Sequence, residues 1–418
     1  MLSRKSKLKG NTRRKVSISL KRTLKKTEYT DTYYIDACYN VDDVYDLTTL
    51  ISNLKKLGLT EDSATKIIED SNEDFLKVNK IILKKEECYQ DYNVPKLPII
   101  PQMRPKFIFN HIHSMDKRFY KTKCLLSNIL NYEKFTTLKK HEVYFYMRDL
   151  FPEIMKKHMK PTFYISDYSY NFPKVYILRP FLGSSGSEIL YISSEAELIN
   201  AIKFYNLHNN FFKRDKYYHN YRVIATEYIM NPLLYKTKKF HLRMYYIISV
   251  INGVLSSFFF DIGKMLTAAK PFNTRKPFSK DVHDTHLKST NSDLLFPVDF
   301  KSSDLNVKSI TSSDILAQMR LILSAVTTIT IKETANINKL LYDNQENGYN
   351  LFGVDFMIDD TGTVFLIEIN ITPGMEFISN SEASIFSKKI FNWISECVLE
   401  PCFKGTDASK HPTYLHPI

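Results

Sequence analysis

Two acids and an amide stand in the middle of a stretch apolar enough to be a sheet core. Residues 350–375 read NLFGVDFMIDDTGTVFLIEINITPGM, with Asp355, Glu368 and Asn370 set among Phe352, Val354, Phe356, Ile358, Phe365, Leu366, Ile367 and Ile369. The runs LFGVDFMI and TVFLIEINI flank DDTG, a cluster of turn formers, so the pattern predicts a β-hairpin. A turn centred on Asp360 and Thr361 brings Asp355 opposite residues 366–368. Glu368 and Asn370 are two apart and leave one face of their strand. Burying ionised carboxylates there is costly unless something positive compensates. Hard oxygen ligands without sulfur or imidazole suit magnesium, which is usually held by a few side chains together with nucleotide phosphates. The plainer alternative is a half-exposed strand whose solvent face happens to carry three polar residues.

Two other segments raise the same question. TEYIMNPLLYKTKKFHLRMYYI, residues 226–247, has a turn at Asn231-Pro232 and then four bases in KTKKFHLR. VYILRPFLGSSGSEI, residues 175–189, reads as a strand followed by a Gly/Ser loop, Gly183, Ser184, Ser185 and Gly186. Such a loop offers backbone N–H groups to phosphates. Alone it reads equally well as a surface turn, and KTKKFHLR as a solvated basic loop.

Together the three segments carry a resemblance. The hairpin resembles the magnesium-binding hairpin of tubulin–tyrosine ligase-like proteins, an ATP-grasp family whose pattern runs roughly F-x-x-x-G-x-D-F-x-x-D … V-W-L-I-E-V-N-x-x-P. Asp355, Glu368 and Asn370 fall on the family's metal ligands with the same separations. Residues 226–247 resemble its Q-K-Y-I-x-x-P-L-L … K-F-D-x-R strand. The resemblance places Glu227, Tyr228 and Ile229 against adenine, and Lys239 and Arg243 at nucleotide phosphates or the acceptor carboxylate. Residues 175–189 resemble I-V-K-P … G-x-G-I, which adds Arg179 and the Gly183–Gly186 loop to the phosphate side. FIFNHIHSMDKRFYKTKCLLSNIL, MKPTFYI and THLKSTNSD match weaker family segments, so the resemblance covers about residues 106–400. The chain departs from the pattern at Thr226, His241, Ser289, Arg179 and Glu188, the last where a glycine is usual. Ser256 stands where the family carries a substrate-binding Arg.

The resemblance implies an ATP-dependent carboxylate–amine ligase working through an acyl phosphate. ATP and two magnesium ions would be its cofactors, and Arg179, Lys239 and Arg243 would stabilise phosphate charge. It implies the acidic tubulin tail as acceptor and Tyr, Glu or Gly as the amino acid added, in a cytoplasmic, microtubule-associated setting. The departures leave a second class open: a catalytically degenerate relative that binds nucleotide or tubulin without ligating. A third is a ligase for another acceptor.

The rest of the chain adds organisation. Strand and helix patterns alternate from Lys106 onward, an α/β or α+β arrangement, and the resemblance makes it an ATP-grasp fold. This core is expected over 106–400, with a C-terminal tail at 401–418. Residues 117–132 read as a helix within it. Residues 28–93 show helical spacing in three short runs, near Leu47–Leu54, Ala64–Ile68 and Phe75–Ile82. They resemble a ubiquitin-associated-type bundle, although a plain helical extension is the simpler reading. Four prolines in residues 94–105 predict an extended linker.

Net charge is +13, and eleven of the bases lie in residues 1–27 with no acid, so the remainder is nearly neutral. That segment reads as a disordered basic arm, either an anchor for an acidic partner or a solvated tail. Five scattered cysteines without a C-x-x-C pair suggest neither a disulfide framework nor a zinc site, and fit a reducing compartment. No secretory signal or bilayer-spanning run is evident, and a monomer is expected.

Overall fold

A computed structural model of the chain describes residues 30–38, 48–61, 66–68, 75–78, 81–84, 105–110, 125–127, 142–167, 170–180, 188–212, 223–285, 294–333, 347–370, 373 and 380–418. In chain order, the N-terminal part contributes β1 (Thr30–Cys38), α1 (Thr48–Lys56), β2 (Pro105–Asn110) and β3 (Leu125–Ser127). Two short helices follow, α2 (Glu142–Leu150) and α3 (Pro152–His158). A small lobe is built from β4 (Thr162–Tyr164), β5 (Tyr176–Pro180), β6 (Leu190–Ile192), α4 (Glu195–Phe212) and β7 (Val223–Glu227). The large lobe has β8 (Lys238–Ile251), β9 (Val254–Thr267), α5 (Lys280–His283), β10 (Leu295–Phe296) and α6 (Ser312–Glu333). It is completed by β11 (Asn347–Ile358), β12 (Val364–Asn370), α7 (Asn380–Ile394) and α8 (Glu400–Lys404).

The strands fall into two main sheets. The small antiparallel sheet runs β6-β5-β7-β4, and the large mixed sheet runs β10-β9-β8-β11-β3-β2-β1 with β12 also paired to β11. The centre of the large sheet is the β8–β9 hairpin, whose two-residue turn has both central residues left-handed, Asn252 at φ 49° and Gly253 at φ 78°. That turn matches the twist of long antiparallel strands. Along β8, Leu242, Met244, Tyr246 and Ile248 pack on one side with α6 residues Met319, Ile322, Leu323 and Val326. Tyr245 and Ile247 pack on the other with α7 residues Phe386, Ile390, Trp393 and Ile394. Period-two alternation thus feeds two cores, one on each face. By length and composition α6 could cross a bilayer, but it is a core helix, with Ile315 to Thr330 supplying its buried residues.

Two expectations about the chain's first third are corrected. Of the three helices read in residues 28–93, α1 is the one found among the described residues. The runs near Ala64–Ile68 and Phe75–Ile82 contain short strands instead, Lys66–Ile68, Phe75–Val78 and Ile81–Lys84. The β-branched pairs Ile67-Ile68 and Ile81-Ile82 favour that outcome. Two described pieces of this part pack with the large sheet and its core. β1 pairs in parallel with β2, Tyr33 opposite Phe107 and Ile35 opposite Phe109, and α1 buries Leu50 and Leu54 in the α7 core. The helix read at 117–132 is likewise not seen at Leu125–Ser127, a strand between β2 and β11. Residues 1–27 and 94–104 lie outside the described residues.

Residues 401–418 are docked. After α8 the chain returns along β9, with Phe259 N–H donating to Thr413 O and Leu415 N–H to Ser257 O, both at 2.9 Å. Trp393 Nε1 donates to Thr413 Oγ1 at 2.8 Å.

Candidate functional site

The hairpin β11–β12 brings its polar residues together. Asp355 lies directly opposite Glu368, and Gly353 opposite Asn370. A bulge follows, since Phe356 then faces Leu366, and such bulges bend a strand and re-aim its side chains. On its other edge β11 pairs with β8, where Arg243 lies opposite Asp355. Arg243, Asp355 and Glu368 therefore form a row across three strands.

Their side chains are bonded to one another. Arg243 Nε donates to Asp355 Oδ1, and Nη2 to Asp355 Oδ2 at 2.9 Å. Asn370 Nδ2 donates to Asp355 Oδ2 at 3.2 Å and to Glu368 Oε1 at 3.0 Å. Arg179, on β5 of the small sheet, reaches across to Glu368 Oε2 with Nη1 at 3.5 Å. Asp355 is 1% exposed. Burial works against the charge of Arg243, but Asp355 more than compensates through its charge and hydrogen bonds, so the guanidinium is held protonated above its ordinary range. The Asp355–Arg243 contact is a bidentate, charge-assisted pair of the kind that fixes geometry best.

The row sits at the seam between the two sheets. On one side opens a mainly apolar slot, walled by Tyr144, Met159, Ile177, Ile229, Met357 and Leu366 with Thr226, Glu227 and Tyr228. On the other lies a compartment whose wall carries the polar and charged side chains of Tyr191, Lys239, His241, His283, Asp284, Thr285 and Asp355, here called the polar compartment. Ile177, Arg179, Met357 and Ile367 border both. An apolar slot beside a compartment with charged walls suits a ligand with an aromatic end and an anionic end.

The residues read as adenine contacts, Glu227, Tyr228 and Ile229, all line the apolar slot. The Glu227 carboxylate is paired with Lys174 Nζ at 2.9 Å. The hydroxyl of Tyr228 accepts from Lys239 Nζ at 3.1 Å and shares a hydrogen bond with His283 Nδ1 at 2.7 Å. Lys239 Nζ also donates to His283 O at 3.0 Å. Burial lowers the Lys239 ammonium to about 7, against the opposing charge of Asp284. Burial, with Lys239 adding to it, lowers His283 to about 4. His241, where the resemblance expects Asp, shares a hydrogen bond of 2.6 Å with Thr285 Oγ1 and places Nε2 3.8 Å from Asp355 Oδ1.

Ser256 does not join the site. It pairs with Ser249 near the hairpin turn, whereas Lys264 is the β9 residue opposite Arg243. Eight residues of strand separate Ser256 from Lys264, roughly 26 Å at about 3.3 Å per residue. Lys264, Tyr191, His283 and Asp284 are not recognisable in the sequence, whereas Thr285 opens the quoted THLKSTNSD segment. The first four carry no spacing signal and come together only through the fold. Glu188 takes φ 58°, the left-handed region that explains the family's glycine there. Gly183, Ser184, Ser185, Gly186 and Ser289 lie outside the described residues.

Among the described residues no three His, Cys, Asp or Glu side chains converge as a metal cluster. The hairpin trio is a different donor set, two carboxylates and an amide whose oxygens come from adjacent strand positions. That set fits magnesium, which completes its shell with phosphate oxygens and water.

A family model described as the tubulin-tyrosine ligase family matches residues 102–404. A protein called probable tubulin–tyrosine ligase PBY1 from Saccharomyces cerevisiae is 29% identical over 208 residues, 47% of this chain and 27% of that protein. Probable tubulin–tyrosine ligase C12B10.04 from Schizosaccharomyces pombe is 26% identical over 188 residues, 44% of this chain and 43% of that protein. The matched regions thus span less than half of either relative. Among solved structures, the C-terminal domain of K. lactis Pby1, an ATP-grasp enzyme interacting with the mRNA decapping enzyme Dcp2, has a TM-score of 0.55. It is 16% identical, and the match covers 91% of this chain and 96% of that domain. The fold of the chain is therefore of the ATP-grasp type, a mixed α/β arrangement.

Proposed function

The chain belongs to the tubulin-tyrosine ligase family, and on that premise we propose that it is an ATP-dependent carboxylate–amine ligase. It would join tyrosine, glutamate or glycine to a protein acceptor through an acyl phosphate. The observation that carries this reading is the row Arg243–Asp355–Glu368, with Asn370 beside it and Arg179 reaching over from the other sheet.

Each residue has a task its surroundings suit. Ile229, Met357 and Leu366 offer an adenine base apolar walls, and the main chain of Glu227 to Ile229 borders the same slot. Arg179 and Arg243 are permanently charged and can follow negative charge as it moves from nucleotide to acceptor carboxylate. Lys239 faces the polar compartment from a buried position and supplies a further cation when an anion is near. Asp355, Glu368 and Asn370 would hold magnesium, which supplies charge neutralisation at the β- and γ-phosphates. No nucleophile on the enzyme is required, because the substrate carboxylate attacks ATP directly and the amino acid's amine then displaces phosphate.

The acceptor proposed first is the acidic tubulin tail. The names of the yeast relatives and the eleven bases in residues 1–27 support it. Such a contact would be salt-sensitive and would place the protein in the cytoplasm on microtubules, as a monomer. The likeness to the K. lactis Pby1 domain supports a second reading of the partner, a protein of mRNA decapping, since that domain interacts with Dcp2. The test is ATP-dependent incorporation of labelled Tyr, Glu and Gly into tubulin by the full chain, run beside Asp355→Asn and Glu368→Gln. Incorporation lost in both variants supports the ligase. Nucleotide binding without incorporation into tubulin or a decapping-protein acceptor overturns it in favour of a binding protein. Removing residues 1–27 should weaken microtubule co-sedimentation, and unchanged sedimentation would dismiss the arm.

A further inference from the structure

Every carboxylate oxygen of the hairpin's two acids is already engaged by the protein's own side chains. Asp355 Oδ1 accepts from Arg243 Nε, and Oδ2 from Arg243 Nη2 at 2.9 Å and Asn370 Nδ2 at 3.2 Å. Glu368 Oε1 accepts from Asn370 Nδ2 at 3.0 Å, and Oε2 faces Arg179 Nη1 at 3.5 Å. The Asn370 amide therefore presents its nitrogen, not its oxygen, to both acids.

The charges of this cluster cancel, two carboxylates against two guanidiniums. A divalent cation arriving alone would have to break the bidentate Asp355–Arg243 pair. It would also leave two guanidinium charges facing it in a buried setting, a strongly unfavourable arrangement. Nucleotide phosphates change the exchange, because they give both guanidiniums new anionic partners and release the carboxylates. Arg243 Cδ would lie 3.0 Å from a Cβ on Gly353, so the side chain runs tightly along the neighbouring strand.

We infer that Arg243 guards the metal site: it closes Asp355 to free divalent cations and yields it when phosphates bind, so metal enters with or after the nucleotide. Arg179 does the same for Glu368 through a longer and weaker contact. The inference rests on the reading of Asp355, Glu368 and Asn370 as metal ligands.

The test is a titration of the full chain with Mn²⁺, followed by the electron paramagnetic resonance signal of the free ion. It is run without nucleotide and with a non-hydrolysable ATP analogue. The guard predicts Mn²⁺ binding to the analogue-loaded chain at least about thirtyfold tighter than to the chain alone. It also predicts that Arg243→Gln binds Mn²⁺ alone at least about tenfold tighter than the wild type, with Arg243→Lys between them because it keeps charge but loses the fork. Where Arg243→Gln does not fold, Arg179→Gln carries the same expectation through Glu368. Mn²⁺ binding equally tightly with and without the analogue overturns the guard, as does unchanged affinity in the folded Arg variants. If Asp355→Asn and Glu368→Gln retain the analogue-dependent Mn²⁺ binding of the wild type, the metal reading itself falls and takes the guard with it.

Discussion

Lys239 Nζ stands 4.6 Å from the centre of the Tyr228 ring and 3.1 Å from its hydroxyl, inside the wall of the polar compartment. Burial brings its ammonium down to about 7, so at pH 8 it is mostly neutral. A phosphate placed in the compartment favours the charged form and raises that value again. Nucleotide binding at pH 8 should therefore draw a proton onto the protein, and binding at pH 6, where Lys239 is already charged, should not. Calorimetric titrations in two buffers of different ionisation enthalpy read the uptake directly. Equal uptake at both pH values would remove Lys239 as the responsive group.

The same lysine has a stability consequence. In the unfolded chain its ammonium keeps the ordinary value of 10.5, and in the fold it falls to about 7. Between those values the unfolded state binds the extra proton, so stability rises with pH through that window. Below about 7 both states are charged and the full desolvation cost is present. Lys239→Met keeps the stem and removes the charge. It should stabilise the apo protein by roughly 2 kcal/mol at pH 6, once the lost bonds to Tyr228 and His283 are set against the relief. The gain should shrink toward pH 10. Urea unfolding at the two pH values measures the difference, and a gain that grows with pH would contradict the assignment.

Local patterns that coincide with the fold's demands are legible in the sequence. Asn252-Gly253 announces its turn because Asn and Gly take left-handed φ with least strain. Asp355, Glu368 and Asn370 declare themselves because carboxylates among β-branched and aromatic neighbours are costly. Lys66–Ile68, Phe75–Val78 and Ile81–Lys84 fall in runs that read as helices yet form strands, because short apolar runs fit period 3.6 and a strand equally well, and β-branched residues tip the balance. Position in a motif puts Ser256 near the substrate, whereas the register of a long hairpin sets what reaches the site. His283 and Asp284 leave no mark in the sequence, because the compartment they line is a tertiary product of α5 lying beside β8.

Glu188 sits at φ 58°, where an L side chain other than Asn or Asp is strained. Its main-chain oxygen accepts from Tyr205 at 2.7 Å, which holds the residue in that conformation. Glu188→Gly should relieve the strain by about 0.5–1 kcal/mol, partly offset by glycine's freedom in the unfolded chain. It also removes a negative charge from the end of the phosphate-side loop. Nucleotide affinity should rise by about threefold or more at low salt and by less at high salt. A loss of affinity would place the Glu188 carboxylate in a useful contact instead.

Leu54 is fully buried between α1 and α7, in the core that holds Phe386, Ile390 and Trp393. Nearby, Asn53 Nδ2 donates to Asn392 Oδ1 at 3.0 Å. If α1 belongs to the same cooperative unit as the large sheet, Leu54→Ala should lower global stability by about 2–4 kcal/mol. All probes should then unfold together. A separate early transition confined to the N-terminal part would show that α1 is an independent appendage.

Gly353 allows β11 to approach Arg243 closely. A Cβ there would lie 2.6 Å from Pro373 Cβ, 3.0 Å from Arg243 Cδ and 3.3 Å from Arg243 Nε. Pro373 is ring-bound and cannot rotate away, so the strain passes to the arginine side chain and the strand. Gly353→Ala should cost about 1–3 kcal/mol, as overpacked cores do. It should also displace the guanidinium from Asp355, with nucleotide affinity falling about tenfold or more as the charge is misaligned. Gly58→Ala is the control for backbone effects alone, since Gly58 is left-handed at φ 82° and a methyl group added there would meet nothing within 4 Å. It should lose stability with no change in nucleotide affinity. Equal affinity losses in the two variants would mean that the close packing at Gly353 does not position Arg243, because a general loosening of the fold would then account for both.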